Sequence, residues 1–304
     1  MLSLPAAANA RIASLARRTC LLHFNTGEQT EAVLRGKLFD ESSGGVAVGD
    51  WVQATREDDK WAVEEVFPRA NAYIRKGLRK ERQVMFSNAD RVLIVASLAR
   101  PQTKIAAVDR FLVAALFGKV PPVLILTKSD LDSDGQRLRE IRDVFETFDF
   151  PIHSVSNVNG EGIETLRHLL SQGVSAIIGN SGVGKSSLTN SLIPELELRV
   201  REVSSWSGKG VHTTTAALLV PFGERAMLID TPGMKSFVPY GLTRENLTSL
   251  FPEIQTLAGL CRFRNCKHVA EPDCAVLEAL DEKTLAQSRY RSFNRLLSEL
   301  EEEY

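Results

Sequence analysis

The sequence predicts a multidomain α/β protein, and three observations predict it. Four short runs of β-forming residues, set apart by turn residues, fill positions 18–68. From about residue 90, apolar strand-like runs alternate with helical segments, and one run leads into a glycine-rich loop. Beyond residue 240 the strand pattern stops, and a Cys/His cluster sits in a helical tail. The length of 304 residues agrees, exceeding the ~100–200 of one ordinary domain. A hydrophobic fraction of 43% with 25% charged residues excludes a disordered or fibrous chain. The longest uncharged apolar stretches, near Val92–Ala99 and Val120–Thr127, fall well short of the ~18–20 residues of a membrane helix. A monomer without membrane contact is expected. With Lys+Arg 37 against Asp+Glu 38, nucleic-acid contact would need local basic patches.

Residues 1–17 read as a loose, flexible N-terminal tail. There is no acidic residue before Glu28, and no positive segment precedes a continuous apolar core as in a secretory signal. The expected compartment is cytoplasmic. In 18–68, RTCLLHF, QTEAVLRGKLF, DWVQATRE and KWAVEEVF alternate with NTGE, ESSGG and EDD, which predicts a small barrel or sandwich. An oligonucleotide-binding (OB) type β-barrel is one option. Cys20, alone in a strand, reads as a packed core residue. Residues 69–89 read as a basic linker, since RANAYIRKGLRKER carries six basic residues and one acidic. Such a run is either solvated or touches RNA phosphates.

Residues 90–239 form the α/β unit. RVLIVAS, PVLILTK, IHSVS, SAIIGN, ALLVPF and AMLID are its strands. Ile105, Val108, Leu112 and Leu116 recur at helical spacing, as do Leu138, Ile141, Phe145 and Phe148. The alternation predicts a mostly parallel sheet covered on both faces. Residues 240–304 read as helical around the metal cluster, with fraying at SELEEEY because those glutamates oppose the helix dipole.

Gly179-Asn180-Ser181-Gly182-Val183-Gly184-Lys185-Ser186 fits the phosphate-binding pattern G-x-x-x-x-G-K-[ST], with strand Ala176–Ile178 before it and a helix from Ser187 after it. Glycines let backbone N–H groups wrap a polyphosphate at the helix N-terminus. Lys185 would reach the β- and γ-phosphates and Ser186 would bind Mg²⁺. Thr127-Lys128-Ser129-Asp130 follows strand Val123–Leu126 at the end where α/β sheets bind ligands. A carboxylate accepts from guanine N1–H and N2–H₂, which adenine lacks, so Asp130 would select guanine while Lys128 packs along the base. Asp230-Thr231-Pro232-Gly233 fits D-x-x-G, in which Asp230 meets Mg²⁺ and the Gly233 N–H meets the γ-phosphate. One of Thr213, Thr214 and Thr215 would ligate Mg²⁺ as a switch residue, with Thr214 the candidate among them. Ser154-Val155-Ser156 lies where a backbone N–H would touch the guanine oxygen. The base reader precedes the phosphate loop, whereas Ras-like GTPases have the opposite order, so the sheet would be circularly permuted.

With RGKLF, VAVGDWV, SNADRVLIVAS, VDRFLVAA, TKSD, GNSGVGKSS, HTTT, DTPG and CRFRNCKH followed by Cys274, the chain resembles the circularly permuted GTPases, specifically the ribosome small-subunit-dependent GTPase A (RsgA/YjeQ) family. The resemblance covers nearly the whole chain. It implies an OB barrel, a circularly permuted P-loop GTPase domain at 90–239 and a helical zinc-binding domain at 240–304. It also implies GTP hydrolysis to GDP and phosphate, stimulated by the small ribosomal subunit during late maturation, with rRNA as partner. The nucleotide would be held by residues 127–130, by Gly179–Ser187 including Ser187, and by Asp230 and Gly233. Thr127 stands where many GTPases carry Asn.

Cys261-x4-Cys266-x-His268-x5-Cys274 offers three thiolates and an imidazole, a closed tetrahedral set suited to one structural Zn²⁺. Arg262, Arg264 and Lys267 interleave with these ligands, either facing RNA phosphates or solvating the knuckle. Met234, directly after D-x-x-G, has no group to orient water, and His212 beside the switch threonines is the candidate catalytic residue together with Lys185. The different-class alternative is an RNA-binding scaffold switched by GTP with negligible turnover. A P-loop ATPase or kinase is opposed by Asp130 in its TKSD context.

Overall fold

The computed structural model describes residues 2–39, 45–77, 81–145, 148–194, 217–231 and 239–301. Five strands close the N-terminal barrel in the order β1-β2-β3-β5-β4: β1 (Ala10–Leu15), β2 (Thr19–Phe24), β3 (Gln29–Leu34), β4 (Trp51–Glu57) and β5 (Lys60–Val66). Alternate residues of all five point inward, with Ala10, Ile12, Cys20, Leu22, Ala32, Val52, Ala54 and Val63 in one core. Two expectations are corrected here. Residues 10–15, assigned to the flexible tail, pair antiparallel with β2 and β4 and supply the closing strand. Their alternation is short and rests on alanines, so the β signal is weak, but closure gives both strand edges hydrogen-bond partners. The QTEAVLRGKLF run ends as strand at Leu34 and continues as a 3-10 turn over Gly36–Phe39.

The basic segment after the barrel is likewise not a featureless linker. It holds an antiparallel hairpin, β6 (Ala72–Lys76) with β7 (Arg82–Ser87). Tyr73 and Phe86, both fully buried, stack at 5.1 Å between ring centroids and join the core of the α/β unit. Arg69 is spent on structure. It donates to both oxygens of buried Asp50, at 2.6 and 2.7 Å, and Asp50 also accepts from Ser87 Oγ at 2.6 Å and Ala47 N at 2.8 Å. This network ties the barrel to the hairpin. Gly49 sits inside it with φ +93°, and a Cβ there would lie 2.1 Å from the Ser87 carbonyl oxygen, so no other residue fits.

The six-stranded sheet has the order β10-β9-β8-β11-β13-β12, from β8 (Arg91–Ser97), β9 (Pro122–Thr127), β10 (Ile152–Val155), β11 (Gly173–Ile178), β12 (Leu218–Phe222) and β13 (Ala226–Asp230). All neighbours are parallel except β12 and β13. Period-two alternation sends Val92, Ile94, Leu124 and Ala176 to one face. That face packs under α1 (Ile105–Phe117), α2 (Gln136–Val144) and the barrel residues Ala13, Leu21 and Val48. Leu93, Val95, Ile125 and Ile177 face α3 (Ile163–Leu169) and α4 (Lys185–Leu192). Phe148, expected on α2, lies past its end and packs on Phe145 and Phe150.

Four helices follow: α5 (Arg244–Ser249), α6 (Pro252–Ala258), α7 (Ala275–Asp281) and α8 (Gln287–Glu301). Their core includes Phe251, Ile254, Val276, Phe293 and Leu296, and it is continuous with Val113 of α1. Arg289 of α8 is 1% exposed. It pairs with Asp109 of α1 and, at 2.7 Å, with Glu253 of α6, while the rings of Phe148 and Phe251 lie 4.5 and 4.4 Å from its guanidinium carbon. Arg110 and Glu299 make a second ion pair between α1 and α8. Among the described residues, no helix is long and apolar enough to cross a membrane.

Candidate active site and metal centre

The phosphate loop leaves β11 at its carboxyl end. Gly179 has φ +149°, and a Cβ there would lie 2.4 Å from the Val95 carbonyl oxygen of β8, so the loop can start only with glycine. Gly184, at φ +97°, caps α4, whose first residues are Lys185, Ser186 and Ser187. The orphan N–H groups of that first turn and the helix dipole favour an anion. Lys185 Nζ donates to the Gly179 and Asn180 carbonyls at 2.8 and 2.7 Å, which lays the ammonium across the loop. Burial lowers its pKa, and nearby Asp230 opposes that. Asp230, at the end of β13, is pushed up to about 6 by burial, with Lys185 pulling it down. Ser186 is exposed at the head of α4. A hydroxyl and a carboxylate are hard oxygen donors of the kind Mg²⁺ takes beside phosphates. Thr231 Oγ1 donates to the Ile177 carbonyl at 2.6 Å and fixes the start of the D-x-x-G turn against β11. His212, Thr213, Thr214, Thr215, Pro232, Gly233 and Met234 lie outside the described residues.

The base-reading segment leaves β9 beside this loop. Thr127 is fully buried, and its hydroxyl donates to the Val183 carbonyl at 2.5 Å, so it braces the phosphate loop from below. Lys128 adopts a left-handed backbone, φ +61°, and its Nζ reaches the Arg100 carbonyl and, at 3.3 Å, the Gly182 carbonyl. Lys128 thus spans two loops around the phosphate site. Asp130 accepts the Ser156 hydroxyl at 2.6 Å, and Ser129 donates to Glu161 at 3.1 Å, so two bonds tie this segment to the loop after β10.

That loop differs from the sequence expectation in one respect. The Ser156 N–H, a candidate for touching the base, is already given to the Glu161 carbonyl at 3.0 Å. Val158 and Asn159 donate to Ser156 Oγ, Gly160 donates to the Ser156 carbonyl, and Glu161 donates to Asn159 Oδ1. From 156 to 161, the Asn157 N–H alone has no acceptor among the described residues. Asn157, Glu161 and Arg100 carry no motif of their own. Only the pairing of β10 with β9 brings the 156–161 loop to Asp130.

The cysteine cluster assembles between α6 and α7. Cys261 Sγ and Cys274 Sγ are each 3.5 Å from His268 Nδ1 and 3.9 Å from one another, and all four donor atoms, Cys266 included, lie within 4.8 Å. Tetrahedral zinc with about 2.3 Å to sulfur and 2.0 Å to nitrogen requires edges of about 3.5–3.8 Å, so the donor set suits a metal of that kind. Burial drives the Cys266 thiol up to about 12, which makes a cluster without a cation costly to ionise. His268 takes a left-handed backbone, φ +59°, and its carbonyl accepts Tyr290 Oη at 2.6 Å. Glu271 accepts from the N–H groups of Val269, Lys267 and Ala270, which hold it down to about 2 and shape the knuckle. Arg262 is paired to Asp273 at 2.7 Å. Cys20, as expected, is a buried barrel residue, with its thiol pushed up to about 12 by burial.

The RsgA GTPase family profile matches residues 66–238, more than half of the chain. The chain belongs to the RsgA GTPase family. It is a GTP hydrolase of the circularly permuted kind, as the motif order anticipates. A relative named small ribosomal subunit biogenesis GTPase RsgA, from Gemmatimonas aurantiaca, is 37% identical over 281 residues, covering 90% of this chain and 91% of its own. A protein of the same name from Bacteroides fragilis is 35% identical over 286 residues, covering 91% of this chain and 92% of its own. The crystal structure of YjeQ from Thermotoga maritima superposes with a TM-score of 0.74 at 30% identity, over 96% of this chain and 98% of that one. YloQ, a circularly permuted GTPase, shares the fold with a TM-score of 0.71 at 24% identity, over 98% of this chain and 96% of that one.

Proposed function

We propose that this RsgA-family GTPase acts in late maturation of the small ribosomal subunit, and that docking on the subunit stimulates its GTP hydrolysis. The observation that carries the reading is the meeting of Asp130, held by Ser156, with the phosphate loop that Thr127 and Lys128 brace. Asp130 would accept guanine N1–H and N2–H₂, and the unpaired Asn157 N–H would donate to guanine O6. Residues 179–187 would wrap the phosphates. Mg²⁺ would be held by Ser186, Asp230 and Thr214 and would offset phosphate charge. Lys185 would leave the loop carbonyls for the β- and γ-phosphates, and the Gly233 N–H would meet the γ-phosphate.

The Cys261, Cys266, His268 and Cys274 set would hold one structural zinc. The barrel and the metal knuckle would contact rRNA. The location is proposed to be cytoplasmic and the state monomeric. Water attack on the γ-phosphate needs an orienting group that Met234 does not supply, and His212 is proposed for it.

Single-turnover GTP hydrolysis with and without small subunits tests the function. Strong stimulation is expected, with ATP failing to compete; no turnover in either condition would favour the GTP-switched scaffold. The His212→Ala variant should keep GTP affinity and subunit binding while losing about 10²-fold or more of the stimulated rate. Undiminished stimulation would assign the catalytic group elsewhere, such as to rRNA.

A further inference from the structure

Guanine presents two acceptors, O6 and N7, on one edge. Many GTPases carry an asparagine at the position of Thr127, and here that side chain is fully buried with its single hydroxyl proton committed to the Val183 carbonyl at 2.5 Å. It has no donor left for a base. Across the Ser156–Asp130 hydrogen bond stands an asparagine on the other loop. Asn157 turns its amide oxygen inward, buried and without a hydrogen-bond partner, while its amide nitrogen makes no hydrogen bond among the described residues. An amide arranged in this way leaves its two N–H donors unspent, one residue along from the hydroxyl that holds the Asp130 carboxylate. A buried orphan carbonyl is costly, and holding the amide in this orientation is easier to understand if its other end makes a strong contact.

We propose that the Asn157 side-chain amide is a specificity-determining contact of this GTPase, donating to guanine N7 and supplying the donor that Thr127 cannot. The inference rests on the guanine reading above. The same residue would then serve O6 from its backbone N–H and N7 from its side chain, while Asp130 accepts from N1–H and N2–H₂.

The test is equilibrium binding of GDP and 7-deaza-GDP, which lacks only the N7 acceptor, to the full-length protein. The wild type is expected to bind 7-deaza-GDP roughly three- to tenfold more weakly than GDP. Asn157→Ala should weaken GDP by the same factor and should not distinguish the two nucleotides. Asn157→Asp keeps the side-chain shape but removes the donor, and should lose at least as much GDP affinity. The inference is overturned by equal binding of the two nucleotides to the wild type, by unchanged GDP affinity in Asn157→Ala, or by discrimination that survives in both variants. A wild type that binds ADP as well as GDP would overturn the guanine reading itself, and this inference with it.

Discussion

Ser156 donates its hydroxyl to Asp130, so the carboxylate that is proposed to read the base is held in direction by the protein itself. Preorganisation of this kind reduces the ordering cost of binding. The role is testable through hydrogen-bond polarity. Xanthine replaces the N2–H₂ donor of guanine with an acceptor, so Asp130→Asn is expected to move preference from GTP towards XTP. Competition between the two nucleotides measures this, and an unchanged GTP preference removes Asp130 from base reading. The neighbouring Thr127 shows how a single side chain divides the labour differently from an asparagine. A hydroxyl has one proton to give, and here it goes to the phosphate loop.

Between elements, the buried Arg289 fastens α8 and α6 to α1, the helix that connects β8 with β9 and so with the base-reading segment. Arg289 Nη2, Asp109 Oδ2 and Glu253 Oε2 remain buried without partners, so the cluster specifies a docking geometry at some cost in stability. Arg289→Ala would strand Asp109 and should destabilise the fold by about 3–5 kcal/mol in chemical denaturation. Burial lifts Asp109 to about 6, with Arg289 the main opposing influence and Glu253 adding to the rise. The folded state therefore holds this proton more tightly than the unfolded chain. Its contribution to stability is present below about pH 4 and is lost as pH rises through about 6. Asp109→Asn should flatten that part of the stability–pH curve, read from urea midpoints at pH 4.5 and 6.5. The knuckle between α6 and α7 has a different anchor. Its four donors are spaced for a metal, so a chelator should release the 261–274 segment before the rest of the chain, seen as early hydrogen exchange. Protection there that ignores chelation would remove the structural-metal assignment.

In the whole molecule, the barrel is held against the α/β unit by both apolar and ionic contacts. Ala13, Leu21 and Val48 enter the core on one face of the sheet, and Asp50 gathers Arg69, Ser87 and Ala47 at the joint. A fixed joint would let both surfaces meet the proposed ribosomal partner in one arrangement, with less entropy lost on docking. Arg69→Ala removes two of the four hydrogen bonds to the buried Asp50 carboxylate. The variant should melt at a lower temperature and be cut faster by protease near residues 66–72, with GDP affinity unchanged. Wild-type protease resistance would mean that the apolar contacts suffice to hold the barrel.

The phosphate loop, the TKSD segment, D-x-x-G and the clustering of Cys261, Cys266, His268 and Cys274 were legible in the chain as patterns because each is local. Glycines at fixed offsets, a carboxylate after a strand and ligands a few residues apart depend little on distant neighbours. The permuted order of these motifs was legible for the same reason, and so were the six sheet strands, whose apolar runs are buried nearly throughout in β8, β9 and β11. Tertiary structure decided the rest. The ARIASL segment became a strand because a barrel needs closing, which no local propensity of two alanines could announce. Arg69 read as part of a basic run until the fold set it against Asp50, which is 19 residues away in sequence. Asn157 and Arg289 acquired their partners, or their lack of them, from elements far along the chain. Long-range packing decides which polar atoms are left facing one another or a ligand, and a one-dimensional pattern does not carry that information.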